Sequence, residues 1–157
     1  MFALGLYMVE LDYYHRWYRD APLLHKSLGI LMLILWLARM LNRQLQTAPC
    51  ALAAPRWQQL TAKFTHALLY VFMLILMLSG YLISTADGRP IQVFNWFALP
   101  ALPIHFEQQA DIAGDIHWLS AWVLCAAVIL HVAAALKHQF IHHDNGLKRM
   151  LKPENKI

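Results

Sequence analysis

Two histidines, His117 and His131, stand fourteen residues apart in a 21-residue stretch, Ile116 to Leu136, that holds no charged side chain. A histidine in hydrocarbon is costly unless something holds it, and two at this interval point to axial ligation of a haem near each membrane face. At 100° per residue the interval comes to about 1400°, roughly 40° short of four full turns, so both imidazoles leave a helix on nearly the same side. Along the axis they are about 21 Å apart, against a hydrocarbon core of about 30 Å. One helix can therefore supply a ligand to each of two stacked irons. Neutral imidazole suits the task because it brings no charge into lipid and its second nitrogen can donate to a backbone carbonyl. The competing chemistry for such a pair is a polar contact between helices or a proton relay.

The elements that must position these side chains are membrane spans. Of the 157 residues 59% are hydrophobic and only 14% charged, more apolar surface than a soluble domain of this size can bury. Phe64 to Ile83 is a second uncharged run of 20 residues with one histidine, His66, near its start. Ser27 to Ala38 is a third, opened by Leu23, Leu24 and His25 and continued by Arg39, Met40 and Leu41; it spans if Arg39 snorkels to the interface. Phe2 to Leu11 is too short to span alone, at about 15 Å if helical. It lacks the basic start and cleavage site of a signal peptide, so the reading is the far half of a first transmembrane helix, with an interfacial helix as the other possibility. The expectation is one domain over 1–157, an all-α four-helix transmembrane bundle with a truncated first helix, its helices over about 1–11, 23–43, 62–84 and 114–140.

Loop charges orient the bundle. Arg39 to Lys63 carries four basic residues and no acid, and the tail from Lys137 carries five basic residues against Asp144 and Glu154. By the positive-inside rule both belong in the cytoplasm. Glu10 to Lys26 and Ser84 to Asp115 together hold four basic and seven acidic residues and face outward. His25 and His117 then lie at the outer level, where they can clamp one iron from opposite sides. His131 lies at the inner level and needs one more ligand. His66 is at a plausible depth, as is a histidine at the start of a longer first helix; taken alone, His66 reads as interfacial or hydrogen-bonded.

Other features read as architecture. Arg39, fourteen residues after His25, either meets a haem propionate or snorkels. Trp17, Trp57, Trp96 and Trp118 fall at proposed interfaces. Gly29 and the Ser79-Gly80 pair permit close approach of a backbone or a porphyrin. Val93 to Leu99, between Pro90 and Pro100, is expected to form a short helix lying on the membrane. His15, His105, His138, His142 and His143 are placed in loops or the tail, and His142-His143-Asp144 is too cramped for three side chains to converge on a metal. Cys50 and Cys125 imply neither a disulfide nor a thiolate site. There is no internal repeat, nucleotide loop, catalytic triad or paired-carboxylate site, and the basic balance follows from topology, not from nucleic acid.

The segments LLHKSLGI around His25, IHWLSAW around His117 and LHVAAALKHQFIHHDNGLKRML from His131, with the turn SGYLISTADGRP, resemble the bacterial cytochrome b561 family, which is related to the cytochrome b subunits of nickel hydrogenases. The resemblance covers nearly the whole chain. It implies a four-helix bundle in the inner membrane, C-terminus cytoplasmic, with two b-type haems. It assigns His25 and His117 to the outer haem. The inner haem falls to His131 and a first-helix histidine, usually followed by Trp, for which this sequence has no matching position. The implied activity is electron transfer across or within the membrane, to or from quinone, with superoxide oxidation at the outer face in one branch. The implied partners are lipid, quinone and an unspecified electron donor, with a homodimer or a separate redox partner both compatible. A reading of another class is a non-redox anchor or proton-relay subunit.

Overall fold

The computed structural model describes residues 1–46, 55–104 and 106–141. In chain order these form α1 (Phe2–Val9), α2 (Asp20–Leu45), α3 (Arg56–Thr85), β1 (Ile91–Val93), β2 (Phe97–Leu99) and α4 (Gln109–Phe140). Three of the helices, α2, α3 and α4, are long and apolar enough to cross a membrane. The eight-residue α1 covers about 12 Å and is not. Each long helix starts earlier than hydropathy alone suggests, because its first turn is helical though polar. Asp20 begins α2 with a carboxylate at the positive end of the helix dipole, and Pro22 falls in the first turn, where a missing N–H is tolerated. Asp111 plays the same electrostatic part in α4.

α3 packs along α4 and also against α2, while α1 packs on α2. Leu35, Val71, Leu119 and Leu130 are each more than half exposed. Apolar side chains turned outward along spanning helices are what lipid as solvent demands. The buried apolar core sits at one end, where Ile30 of α2 meets Ile91 and Val93 of β1, flanked by Tyr81 and Leu99. We refer to this as the hairpin end. Chain direction alternates, so His25 and His117 lie toward it and His66 and His131 away from it.

The segment expected to be a surface helix is instead an antiparallel hairpin, with Ile91 opposite Leu99 and Val93 opposite Phe97. Its turn places both Phe94 and Asn95 at positive φ, 45° and 59°, and Trp96 N–H closes on the Val93 carbonyl at 2.8 Å. Two consecutive positive φ values are the type I′ signature, which suits the right-handed twist of paired strands and cannot continue a helix. The hairpin is tied down by side chains of the spans. The buried Ser27 hydroxyl donates to the Gln92 carbonyl (3.3 Å) and accepts from Phe94 N–H (3.1 Å). Tyr81 Oη donates to the Pro100 carbonyl (2.7 Å) and accepts from Leu102 N–H (2.9 Å). Gln109 Nε2 donates to the Leu82 carbonyl at 3.0 Å.

Candidate functional site

α2 presents His25 from its second turn, and α4 presents His117 from its third. Their imidazole centroids are 6.2 Å apart with the ring planes at 71°. A metal–imidazole bond of about 2.0 Å and roughly 1.2 Å from ring nitrogen to ring centre put the centroids of two trans ligands about 6.4 Å apart. The pair is therefore spaced to grip one metal ion between the rings.

The ring edges facing away from that gap are fixed by two flanking helices. His117 Nδ1 lies 3.0 Å from the Leu76 carbonyl and 3.1 Å from Ser79 Oγ, both on α3. A carbonyl can only accept, so Nδ1 carries the proton and Nε2 is left with a lone pair, which is the form a metal requires. A Cβ placed on Gly80 would come within 3.1 Å of His117 Cε1 and 3.3 Å of Nδ1, so a glycine there keeps the ring seated. Gly5 of α1 lies more loosely against His25, where a Cβ would be 3.4 Å from Cε1, an ordinary contact. His25 Nδ1 is buried without a hydrogen-bond partner. Both rings thus turn their Nδ1–Cε1 edges to a glycine.

Two neutral imidazoles alone make a poor protein-only metal site, and among the described residues no group of three or more His, Cys, Asp or Glu side chains could hold an ion. The missing equatorial donors are what a porphyrin supplies, so the residues present fit a haem. A mostly apolar groove of about 220 Å³ lies between α3 and α4, bordered by Ile75, Leu78, Ser79, Leu82 and Ile116.

At the opposite end α4 brings His131 against His66 of α3, with centroids 5.3 Å apart and planes at 66°. The sequence leaves His66 as an interfacial or hydrogen-bonded residue; packing places it on His131. Their spacing is about 1 Å less than a trans pair needs by the same arithmetic. One turn along α3, Tyr70 accepts from Arg39 Nε at 2.8 Å, and the Arg43 guanidinium lies 5.4 Å from the centre of the Tyr70 ring. Arg39 is therefore engaged in bracing α2 on α3.

The remaining sequence candidates scatter. His15 lies in a turn, its Nδ1 accepting from Trp17 N–H at 3.2 Å. His138 belongs to α4, not to a loop or the tail. His105, Cys50 and His142-His143-Asp144 lie outside the described residues. Cys125 is a free thiol in α4. Gly29 faces open space, so of the glycines singled out by sequence only Gly80 serves a close approach. Gly5 and the Ser79 contact escape sequence reasoning; a lone glycine inside the first apolar run is the one signal that could have exposed the former.

A family profile described as prokaryotic cytochrome b561 matches residues 1–153. Cytochrome b561 homolog 2 of Escherichia coli K12 is 47% identical over 152 residues, covering 96% of this chain and 81% of that protein. Cytochrome b561 homolog 1 of the same organism is 28% identical over 128 residues, covering 81% and 72%. A protein of Yersinia pestis named probable superoxide oxidase CybB is 28% identical over 134 residues, covering 82% and 73%.

Proposed function

The chain belongs to the prokaryotic cytochrome b561 family of helical membrane cytochromes, and we propose that it is an electron-transfer cytochrome holding one b-type haem between His25 and His117 and a second on His131. The observation that carries this reading is the 6.2 Å centroid spacing of His25 and His117. Haem bound there supplies a one-electron Fe(III)/Fe(II) couple. The residues' part is to keep the same two neutral ligands in both oxidation states. Leu76, Ser79 and Gly80 seat one ring and Gly5 the other, so little need move when the charge changes. With both His25 and His117 as ligands, a haem at the hairpin end would have no position left open for oxygen chemistry.

By the distribution of loop charge the hairpin end faces outward and the C-terminus inward in a bacterial inner membrane. Quinone is the proposed partner within the bilayer. Superoxide is the proposed donor from outside, supported by the printed name of the Yersinia relative. Purified protein from haem-replete cells is expected to show a b-type reduced-minus-oxidised spectrum, to be reduced by a quinol analogue, and to be reduced by enzymatically generated superoxide. Colourless protein would sink the cytochrome reading and leave an anchor or proton-relay subunit. A coloured protein inert to quinols or to superoxide would remove that partner alone.

A further inference from the structure

We propose that Ser79 is a positioning residue for the iron ligand at the hairpin end, fixing the plane of His117 and strengthening it as a donor, so that oxidised iron is favoured there. The proposal rests on the reading of His117 as an axial ligand.

Ser79 is 4% exposed, and its Oγ lies 3.1 Å from His117 Nδ1. The hydroxyl proton is committed elsewhere, since Oγ is 2.7 Å from the Ile75 carbonyl one turn back and 3.1 Å from that of Leu76. What Oγ turns toward His117 is therefore a lone pair, and the Nδ1 proton is shared between it and the Leu76 carbonyl at 3.0 Å. A serine in an apolar helix often bonds back to its own i−4 carbonyl merely to satisfy its hydroxyl. That accounts for the bond to Ile75 but not for an oxygen facing His117 Nδ1 on α4. The missing side chain of Gly80 leaves room for the Cε1 side of the same ring, which a Cβ there would meet at 3.1 Å.

His25, which would hold the same iron, lacks this arrangement: its Nδ1 is buried with no acceptor. An imidazole whose N–H is pulled by two acceptors has more negative charge at Nε2 than one with none, so His117 is the stronger donor of the pair. A stronger donor favours Fe(III) over Fe(II). Removing the Ser79 oxygen weakens that preference and frees the ring to turn.

The test uses detergent-purified holoprotein carrying Ser79→Ala, Ser79→Thr or His117→Ala, each read by haem-to-protein ratio, redox titration and the ferric low-spin EPR signal, which reports the angle between axial ring planes. Ser79→Ala is expected to keep its haem and to raise the potential of the hairpin-end component. At the low end of outer-shell effects the ratio of Fe(III) to Fe(II) affinity falls about tenfold, which is about 59 mV for one electron. The EPR signal shifts with it. Ser79→Thr keeps the hydroxyl, has the neighbouring groove to take its methyl, and is expected to restore wild-type values. Loss of that haem in Ser79→Ala but not in Ser79→Thr also supports the assignment. Wild-type potential and EPR in Ser79→Ala, or the same defect in both serine variants, overturns it. If His117→Ala retains every haem, it is the ligand reading that fails.

Discussion

Replacing Gly80 by alanine puts a methyl carbon 3.1 Å from His117 Cε1 and 3.3 Å from its Nδ1. Carbon–carbon contacts relax at about 3.5–4.0 Å, so the ring must retreat by roughly 0.4–0.9 Å or α3 must part from α4. Without haem His117 can swing aside; with haem, Nε2 is pinned and the strain stays in the complex. Overpacking of this kind costs about 1–3 kcal/mol. The gain in helix propensity, about 1 kcal/mol, applies with and without haem and cancels from the affinity. The expected loss of haem affinity at this site is then about 5-fold to 150-fold. Gly5→Ala is the matched control, because its Cβ would be 3.4 Å from His25 Cε1 and 3.9 Å from Nδ1, which is ordinary contact. There the affinity should stay within about twofold. Haem titration of the apoprotein, with transfer to a haem-scavenging protein as the off-rate measurement, reads both. Unchanged haem retention in Gly80→Ala, or an equal defect in Gly5→Ala, would refute the seating of the two rings on these helices.

His25→Ala and His117→Ala are each expected to delete the same component of the difference spectrum and of the redox titration; deletion of different components would show that the two rings do not share an iron. His131→Ala should remove the other haem, whereas His66→Ala should leave the haem-to-protein ratio unchanged, since the 5.3 Å spacing of that pair is too close for an iron between the rings. A halved ratio in His66→Ala would make His66 a ligand. Tyr81→Phe removes the hydroxyl that serves Pro100 and Leu102 and should loosen the hairpin by about 1–2 kcal/mol. Hydrogen exchange over residues 91–99 measures this, and wild-type protection there would contradict the anchoring role.

The spans were legible because hydropathy and length are local properties: an uncharged run of about 20 residues has few alternatives to crossing lipid. The helix ends at which His25, His117 and His131 stand were legible from their places in the apolar runs and the 1.5 Å rise of a helix. Family resemblance followed from short motifs around the same histidines. Charge and hydropathy did not foresee the hairpin. Prolines on both sides of an apolar segment suit a membrane-surface helix as well as a turn, and the choice was made by contacts from far away in sequence, chiefly Ser27 on α2 gripping the Gln92–Phe94 backbone.

Sequence by itself thus determined what dissolves this protein, which runs become its long helices and toward which end of its helix each imidazole stands. Which imidazole meets which, and what stands behind each ring, was decided only when the helices packed. Depth is set along one helix axis, but contact depends on how each helix is rotated about its axis and pressed on its neighbours. That is why His66 joined His131, why Gly5 and Gly80 came to lie against His25 and His117, and why a serine that reads as a small residue in an apolar run came to face a histidine nitrogen.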